Sequence, residues 1–334
     1  MINLGIIGCG LIGNKRATSI RNMSNSNFNL LGCTDINIDK AKDLSKNKIK
    51  IFDNYIDLIR DSSIDAVIIA TLHDSLASIT KYALENKKHV FVEKPAARNF
   101  SELKDVLKLS NNNELKIRIG FNHRFHPGIL KAKELIKKNQ IGPLMFIRAR
   151  YGHGARINYE KEWRADPNIS GGGELIDQGP HLIDLASWFF NEKFSHIEGY
   201  ATNYFWQMPV DDNCFMNLRT KTNKTAFLHV SCTEWKNLFS FEIYGKNGKI
   251  EINGLGGSYG TEKVTLYKML PEMGPPETLS WEYPFPDRSW ELELNEFYKD
   301  ISQNRIPDPG LNEVKIILEI INTIYKKSNY DFSS

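Results

Sequence analysis

Two stretches of this chain hold side chains that could move a proton at an alcohol. Glu93-Lys94-Pro95 follows the apolar run His89-Val90-Phe91-Val92. A lysine at the end of a buried strand can hold an alcohol oxygen and stabilise it as an alkoxide. An ordinary turn with a surface lysine would carry the same tripeptide. The second stretch is Gly171-Gly172-Gly173-Glu174, which opens a helix bearing Asp177, Gly179, His181 and Asp184. Asp177 and His181 are four residues apart, a spacing that puts both on one face of a continuous helix. An imidazole that titrates near neutrality is the usual general base for an alcohol proton, and a carboxylate beside it can orient the ring or bond substrate. A helix cap plus a core histidine fits the same residues. Asp-x-x-x-His can also bind zinc, but no third ligand is visible, and no metal is expected.

If such an alcohol is also oxidised, its carbon must pass a hydride to an acceptor, and the N-terminus has the residues to hold one. Ile2 to Gly13 is an apolar run ending in Gly8-Cys9-Gly10-Leu11-Ile12-Gly13. In a dinucleotide site, Gly8 permits the tight turn, Gly10 lets the backbone approach a pyrophosphate, and Gly13 lets the next helix pack on the strand. That helix aims its free N–H groups and positive dipole end at the phosphates. Leu11 and Ile12 lie in the same turn. A second apolar run, Phe28 to Thr34, ends in Asp35. It sits about 20 residues beyond the glycines, where a carboxylate bonds the adenosine ribose. Asp35 repels a ribose 2′-phosphate and no arginine immediately follows it, the next residues being Ile36-Asn37-Ile38, so NAD is favoured over NADP.

The elements that must position these residues alternate. Short apolar runs at 2–7, 28–34, 49–52, 64–70, 89–92 and 115–120 read as strands, with helical stretches between them. Ser101 is the expected N-cap of the helix at 101–109. Strand-helix alternation means a doubly wound parallel sheet of Rossmann type, with ligands beyond the carboxyl ends of its strands. This adds Thr71, Leu72, His73, Glu93, Lys94 and Asn122 to the candidate cofactor residues. Beyond Asn122 the pattern changes. A helix at 127–138, a strand at 144–151 and one long helix reaching Phe190 precede mostly β sequence. Cys214, Met216 and Leu218 alternate with polar neighbours, as do Ala226, Leu228 and Val230. Asn247-Gly248 reads as a hairpin turn. Residues 271–286 read as a proline-rich excursion, and two helices close the chain near 290–302 and 312–326. The expected fold is α/β, with a dinucleotide-binding domain at 1–122. An α+β domain at 123–334 follows, built on a large, mostly antiparallel open sheet.

Charge narrows the partners. Net charge is +3 from 43 basic and 40 acidic side chains in 334 residues, which makes no case for nucleic acid or a membrane surface. The basic group Lys131, Lys133, Lys137 and Lys138 reads as a solvated helix face. The cysteines Cys9, Cys33, Cys214 and Cys232 are scattered without a metal or disulfide pattern. The first strand starts at the second residue and no apolar run approaches the ~20 residues that span a bilayer, so a cytoplasmic protein is expected.

Together these motifs resemble the Gfo/Idh/MocA oxidoreductases over nearly the whole length. The resemblance rests on Gly8-x-Gly10-x-x-Gly13, Asp35, Glu93-Lys94-Pro95, Gly120-Phe121-Asn122-His123-Arg124-Phe125, Trp163-Arg164 and Gly171 to Asp184. It implies that Lys94 binds the reacting hydroxyl, His181 takes its proton, and Asp177 binds or orients substrate. It places Glu93 and Asn122 by the nicotinamide, and Arg124, Trp163 and Arg164 near the cofactor or the active-site wall. It also implies a homodimer or homotetramer built on the outer face of the second sheet. Thr71-Leu72-His73 departs from the Thr-Pro-Asn of many members. The stretches 151–167 and 289–297 are similar to members encoded with surface-polysaccharide genes. They imply a sugar or nucleotide-sugar substrate, with Tyr151, His153, Arg156 and Tyr159 available to bind hydroxyls. The expected activity is an NAD-dependent sugar dehydrogenase. A redox-neutral, NAD-dependent glycosidase and a non-catalytic NAD sensor share the fold; retention of Lys94 and His181 argues against the sensor.

Overall fold

The computed structural model describes residues 1–23, 27–110 and 114–332, so residues 333 and 334 of the expected second domain lie outside the described residues. The chain divides into two compact units, one of residues 1–121 and 290–318, the other of 122–289 and 319–332.

The first unit opens with β1 (Ile2–Ile7), α1 (Leu11–Asn22), β2 (Phe28–Thr34), α2 (Ile38–Ser45), β3 (Lys50–Ile51) and α3 (Tyr55–Arg60). It continues with β4 (Ala66–Ile69), α4 (His73–Glu85), β5 (His89–Glu93), α5 (Phe100–Leu109) and β6 (Ile117–Gly120). The strands form one parallel sheet in the order β3-β2-β1-β4-β5-β6. Leu4, Ile6, Val67, Ile68, Val90, Phe91 and Ile119 are fully buried, as expected of parallel strands covered on both faces. The N-cap of α5 is Asn99 rather than Ser101: its side chain accepts the Glu102 N–H at 3.0 Å, and Glu102 reaches back to the Arg98 N–H at 2.8 Å. The Asn99 cap and the tie from Glu102 to the residue before it stabilise the earlier start.

The second unit begins with a 3₁₀ turn at Asn122–Phe125, then α6 (Pro127–Lys137), β7 (Leu144–Gly152), α7 (Pro167–Ser170), α8 (Glu174–Asp177) and α9 (Gly179–Phe190). The strands β8 (Phe194–Thr202), β9 (Asn213–Thr220), β10 (Thr225–Ser231), β11 (Leu238–Gly245), β12 (Gly248–Asn253), β13 (Glu262–Lys268) and β14 (Glu277–Tyr283) follow. With β7 they make an eight-stranded sheet in the order β14-β13-β12-β11-β7-β10-β9-β8, antiparallel except where β10 runs parallel to β7. One face is buried under α9; alternate positions such as Arg148, Arg150 and Phe227 point to the exposed face.

Three expectations are corrected here. The long helix is two: α8 ends at Asp177 and α9 begins at Gly179, because Pro180 has no N–H to carry the helical ladder across. The proline-rich excursion holds an edge strand, β14. The hairpin loop is Lys246-Asn247, since Gly245 and Gly248 pair.

α10 (Ser289–Ser302) and α11 (Leu311–Lys327) close the chain. From Trp290 to Leu318 the chain is part of the first unit, which differs from a single cut at residue 122. The reason is apolar: Leu294 and Phe297 are fully buried in the same core as Phe28 and Phe91, and the Phe297 ring lies 6.1 and 5.6 Å from those two rings.

A candidate cofactor and active site

In the first unit, the expected cofactor residues follow the carboxyl ends of β1, β2, β4 and β5. Gly8 has a φ of 93°, and a Cβ on it would stand 2.5 Å from the Ala70 carbonyl oxygen. The turns after β1 and β4 thus meet backbone to backbone. A Cβ on Gly13 would stand 2.0 Å from the Gly8 carbonyl oxygen. Gly10 differs, because a Cβ there would meet nothing within 4 Å. Gly8 and Gly13 are required by the fold; Gly10 leaves space. Gly10 is also the N-cap of α1, which has no side-chain cap, so the first turn of a twelve-residue helix suits an anion.

Asp35 is held from both sides. Its Oδ2 accepts the Cys9 N–H at 2.6 Å and its Oδ1 the Asn37 N–H at 2.8 Å. Leu11, Ile36 and Leu72, one on each of three neighbouring strand ends, keep large apolar side chains exposed. Ile12 stands beside Leu11 in the first turn of α1. Thr71 and Leu72 lead into α4, which starts at His73 itself; His73 is buried, and Ser75 donates to Thr71 Oγ1 at 2.9 Å.

Glu93 ends β5, and its carbonyl accepts the Ala96 N–H at 3.0 Å, closing the turn that carries Lys94. Its carboxylate is taken by Arg16, whose Nε donates to Oε1 at 2.7 Å. Arg16 is fully buried, with its guanidinium 4.2 Å from the Phe91 ring centroid and 4.5 Å from that of Trp290. A second buried carboxylate, Glu293 Oε2, stands 2.7 Å from Arg16 Nη2. Burial pushes the Glu293 carboxyl up to about 7 in spite of that cation.

The second unit carries the acid–base candidates. His181 is buried, with the His123 ring stacked on it at 3.7 Å between centroids and 23° between planes. Tyr151, at the end of β7, presents its ring to His181 at 6.0 Å, and burial drives its phenol well above the usual range. Asp177 accepts from Arg164 Nε at 3.0 Å, and that guanidinium lies 4.5 Å from the Trp163 ring. Burial opposes the Arg164 charge, but Asp177, Tyr159 and Glu174 together hold its pKa above the ordinary value. Arg124 is committed to Asp184 through bonds of 2.7 and 2.6 Å, and Asn122 Nδ2 donates to Ser289 Oγ at 3.0 Å. His153 Nδ1 accepts the Ala155 N–H at 3.0 Å, so its proton sits on Nε2, 3.6 Å from Glu174 Oε1. Tyr159 donates to the same oxygen at 3.2 Å. Burial first, then the charges of Asp177 and Asp211, push Glu174 up to about 8.

Asp211 positions this group. Its carboxylate accepts the Gly173 N–H at 2.9 Å, the Leu175 N–H at 2.8 Å and the Tyr325 hydroxyl at 2.7 Å, fixing the start of α8. Gly173 has no room for a side chain, since a Cβ would stand 1.9 Å from the Asp211 carbonyl oxygen. Among the described residues, no group of three His, Cys, Asp or Glu side chains is placed to hold a metal, and no helix is long and apolar enough to cross a membrane.

Sequence reading missed Arg16, Glu293, His123, Glu174 and Asp211 as members of these groups. Arg16 had a signal: it falls three residues after Gly13, on the buried face of α1. His123 stood within a motif already singled out. Glu174 and Glu293 also stood within stretches already singled out; Asp211 gave no signal.

Two family models match the chain: "Oxidoreductase family, NAD-binding Rossmann fold" over residues 2–121, and the GFO/IDH/MocA C-terminal domain over 129–251. The chain is 26% identical over 313 residues to inositol 2-dehydrogenase of Salmonella typhimurium, covering 92% of this chain and 88% of that one. It is 31% identical over 197 residues to glucose-6-phosphate 3-dehydrogenase of Bacillus subtilis, covering 58% and 55%. The solved structure of levoglucosan dehydrogenase with NADH and levoglucosan has the same fold, with a TM-score of 0.88, 20% identity, and 98% and 97% of the two chains covered.

Proposed function

This chain belongs to the Gfo/Idh/MocA oxidoreductase family, and we propose that it is an NAD-dependent dehydrogenase of a sugar or nucleotide sugar destined for surface polysaccharide. The observation that carries the reading is the edge formed by Gly8 to Gly13 and Asp35. There an uncapped helix start, an open Gly10 and a carboxylate locked by two N–H groups fit the pyrophosphate and ribose of a dinucleotide. Both ribose hydroxyls suit that carboxylate; a 2′-phosphate does not. The exposed Leu11, Ile36 and Leu72 suit flat apolar rings. Two relatives are dehydrogenases of a cyclic polyol and a sugar phosphate by name, which supports a ring CH–OH as substrate.

The nicotinamide supplies the hydride acceptor. Lys94 holds the reacting oxygen and stabilises its developing negative charge. His181 takes the hydroxyl proton. Asp177, oriented by Arg164, bonds substrate, and Tyr151 and His153 contact its hydroxyls. Arg124 acts through Asp184, holding the 3₁₀ turn against α9. The protein assembles as a dimer or tetramer through the exposed face of the second sheet.

The test is a panel of free sugars, inositols and nucleotide sugars with NAD, followed by NADH absorbance. Lys94→Ala should lower turnover by about 10²- to 10⁴-fold, the range of one positioned acid–base group, while NAD binding is retained. Equal turnover in the variant would remove Lys94 from the mechanism. Net hydrolysis without accumulating NADH would transfer the protein to the redox-neutral glycosidases.

A further inference from the structure

We propose that His123 is a positioning residue that keeps His181 in its neutral, proton-accepting form. The proposal rests on the reading of His181 as general base. The two rings overlap at 3.7 Å in a site where both side chains are buried. Two imidazolium ions cannot share such a stack without strong like-charge repulsion, so the pair holds one excess proton at most and titrates as a unit.

The surroundings assign that proton to His123. Asn122 donates its amide nitrogen to Ser289 Oγ at 3.0 Å, which turns the amide oxygen toward His123 Nδ1, 3.3 Å away. An amide oxygen only accepts, so His123 carries a proton at Nδ1. A fixed acceptor there also stabilises the imidazolium form. Behind His123 stands His126, ring centroids 5.7 Å apart, with its Nδ1 2.7 Å from Glu262 Oε1 and 3.8 Å from Asp287 Oδ1. Two carboxylates, Glu262 and Asp287, therefore stand at His126 on the His123 side. On the His181 side each acid has a guanidinium partner: Asp177 is paired with Arg164 and Asp184 with Arg124. Tyr151 faces both rings, with Tyr259 5.1 Å behind it; burial raises both phenols, so neither brings a charge.

The experiment is a proton-shift titration of the full chain with isotope-labelled histidine. The chain has 8 histidines, and the spectrum of His181→Asn assigns the resonance of interest. His123→Phe keeps a ring on the stack but removes the competing proton site. The His181 midpoint should rise by about one pH unit or more, a tenfold gain in proton affinity, because an aromatic face attracts the imidazolium. The acid limb of kcat/KM should move up with it. His123→Gln provides a second variant without a ring, and it too should raise the midpoint. An unchanged His181 midpoint in both variants would overturn the proposal, whatever the activity. Normal turnover by His181→Asn, by contrast, would remove the general-base reading and leave the measured coupling intact.

Discussion

Alanine at Gly10 and alanine at Gly13 should separate binding from folding, although the residues are three apart in one turn. Gly10 has φ −70° and ψ −161°, extended backbone that any residue adopts, and its Cβ would meet no atom within 4 Å. Gly10→Ala should therefore be neutral or slightly stabilising, by up to about 0.5–1 kcal/mol, through a less free unfolded chain. Its methyl would occupy the approach to the N–H groups of the first turn of α1. Losing one or two hydrogen bonds to a charged phosphate, at roughly 1.5–3 kcal/mol each, should weaken NAD binding by about tenfold to ten-thousandfold. Gly13→Ala reverses the pattern. Its Cβ would stand 2.0 Å from the Gly8 carbonyl oxygen and 3.0 Å from the carbon, so α1 must move away from the turn. Overpacking of that kind costs about 1–3 kcal/mol and should lower the melting temperature by several degrees. Thermal melts by circular dichroism and calorimetric titration with NAD measure the two effects separately. Unchanged NAD affinity in Gly10→Ala would refute the reading of this turn as a pyrophosphate site, and an unchanged melt in Gly13→Ala would refute the close approach.

Two buried acids give further tests. Arg16→Met leaves Glu93 and Glu293 buried without their shared cation and should destabilise by about 3–5 kcal/mol, read from denaturant midpoints; adding Glu293→Leu should recover part of the loss, and a double variant no better than the single would count against the cluster. Glu174 is pushed up from 4.5 to about 8 in the folded chain. Between those values the folded state holds a proton that the unfolded state has released, so Glu174 makes stability fall as pH rises through that window. Glu174→Gln removes the dependence: its stability relative to the parent should grow steadily as the pH is raised, and a difference independent of pH would show that Glu174 titrates normally.

Much of the first unit was legible because its physics is local. Parallel strands buried on both faces appear as unbroken apolar runs, and the glycines and Asp35 occupy fixed offsets from their ends. The missed features are those in which distant residues decide. β14 escaped notice because it is an edge strand, paired among the described residues with β13 alone and mostly exposed on both faces, so no alternation marks it. Asp177 and His181 were linked through a continuous helix that Pro180 does not allow. Asp177 and His181 remain candidates on residue type and the glycine run, without that spacing. His123 was present in a recognised motif, but stacking of two rings has no sequence period and could not be inferred from spacing.

α10 shows the limit most clearly, and also why that limit has a functional side. Its sequence announces an amphipathic helix, yet nothing local says which core it joins. The structure answers with charge as well as shape. Glu293 meets Arg16 and, two turns later, Asp300 meets Arg118 at 2.7 Å, with Leu294 and Phe297 buried between them. Apolar side chains alone tolerate a helix sliding by a turn, whereas two buried acids facing two buried guanidinium groups fit one register, since any slip leaves Glu293 without Arg16 and separates Asp300 from Arg118 in a low dielectric. Arg16 is the shared member. It joins Glu293 on the last third of the chain to Glu93, the residue before Lys94. The register of a C-terminal helix is thereby transmitted to the turn that carries the proposed oxygen-binding lysine, through one side chain that belongs to the helix of the dinucleotide edge.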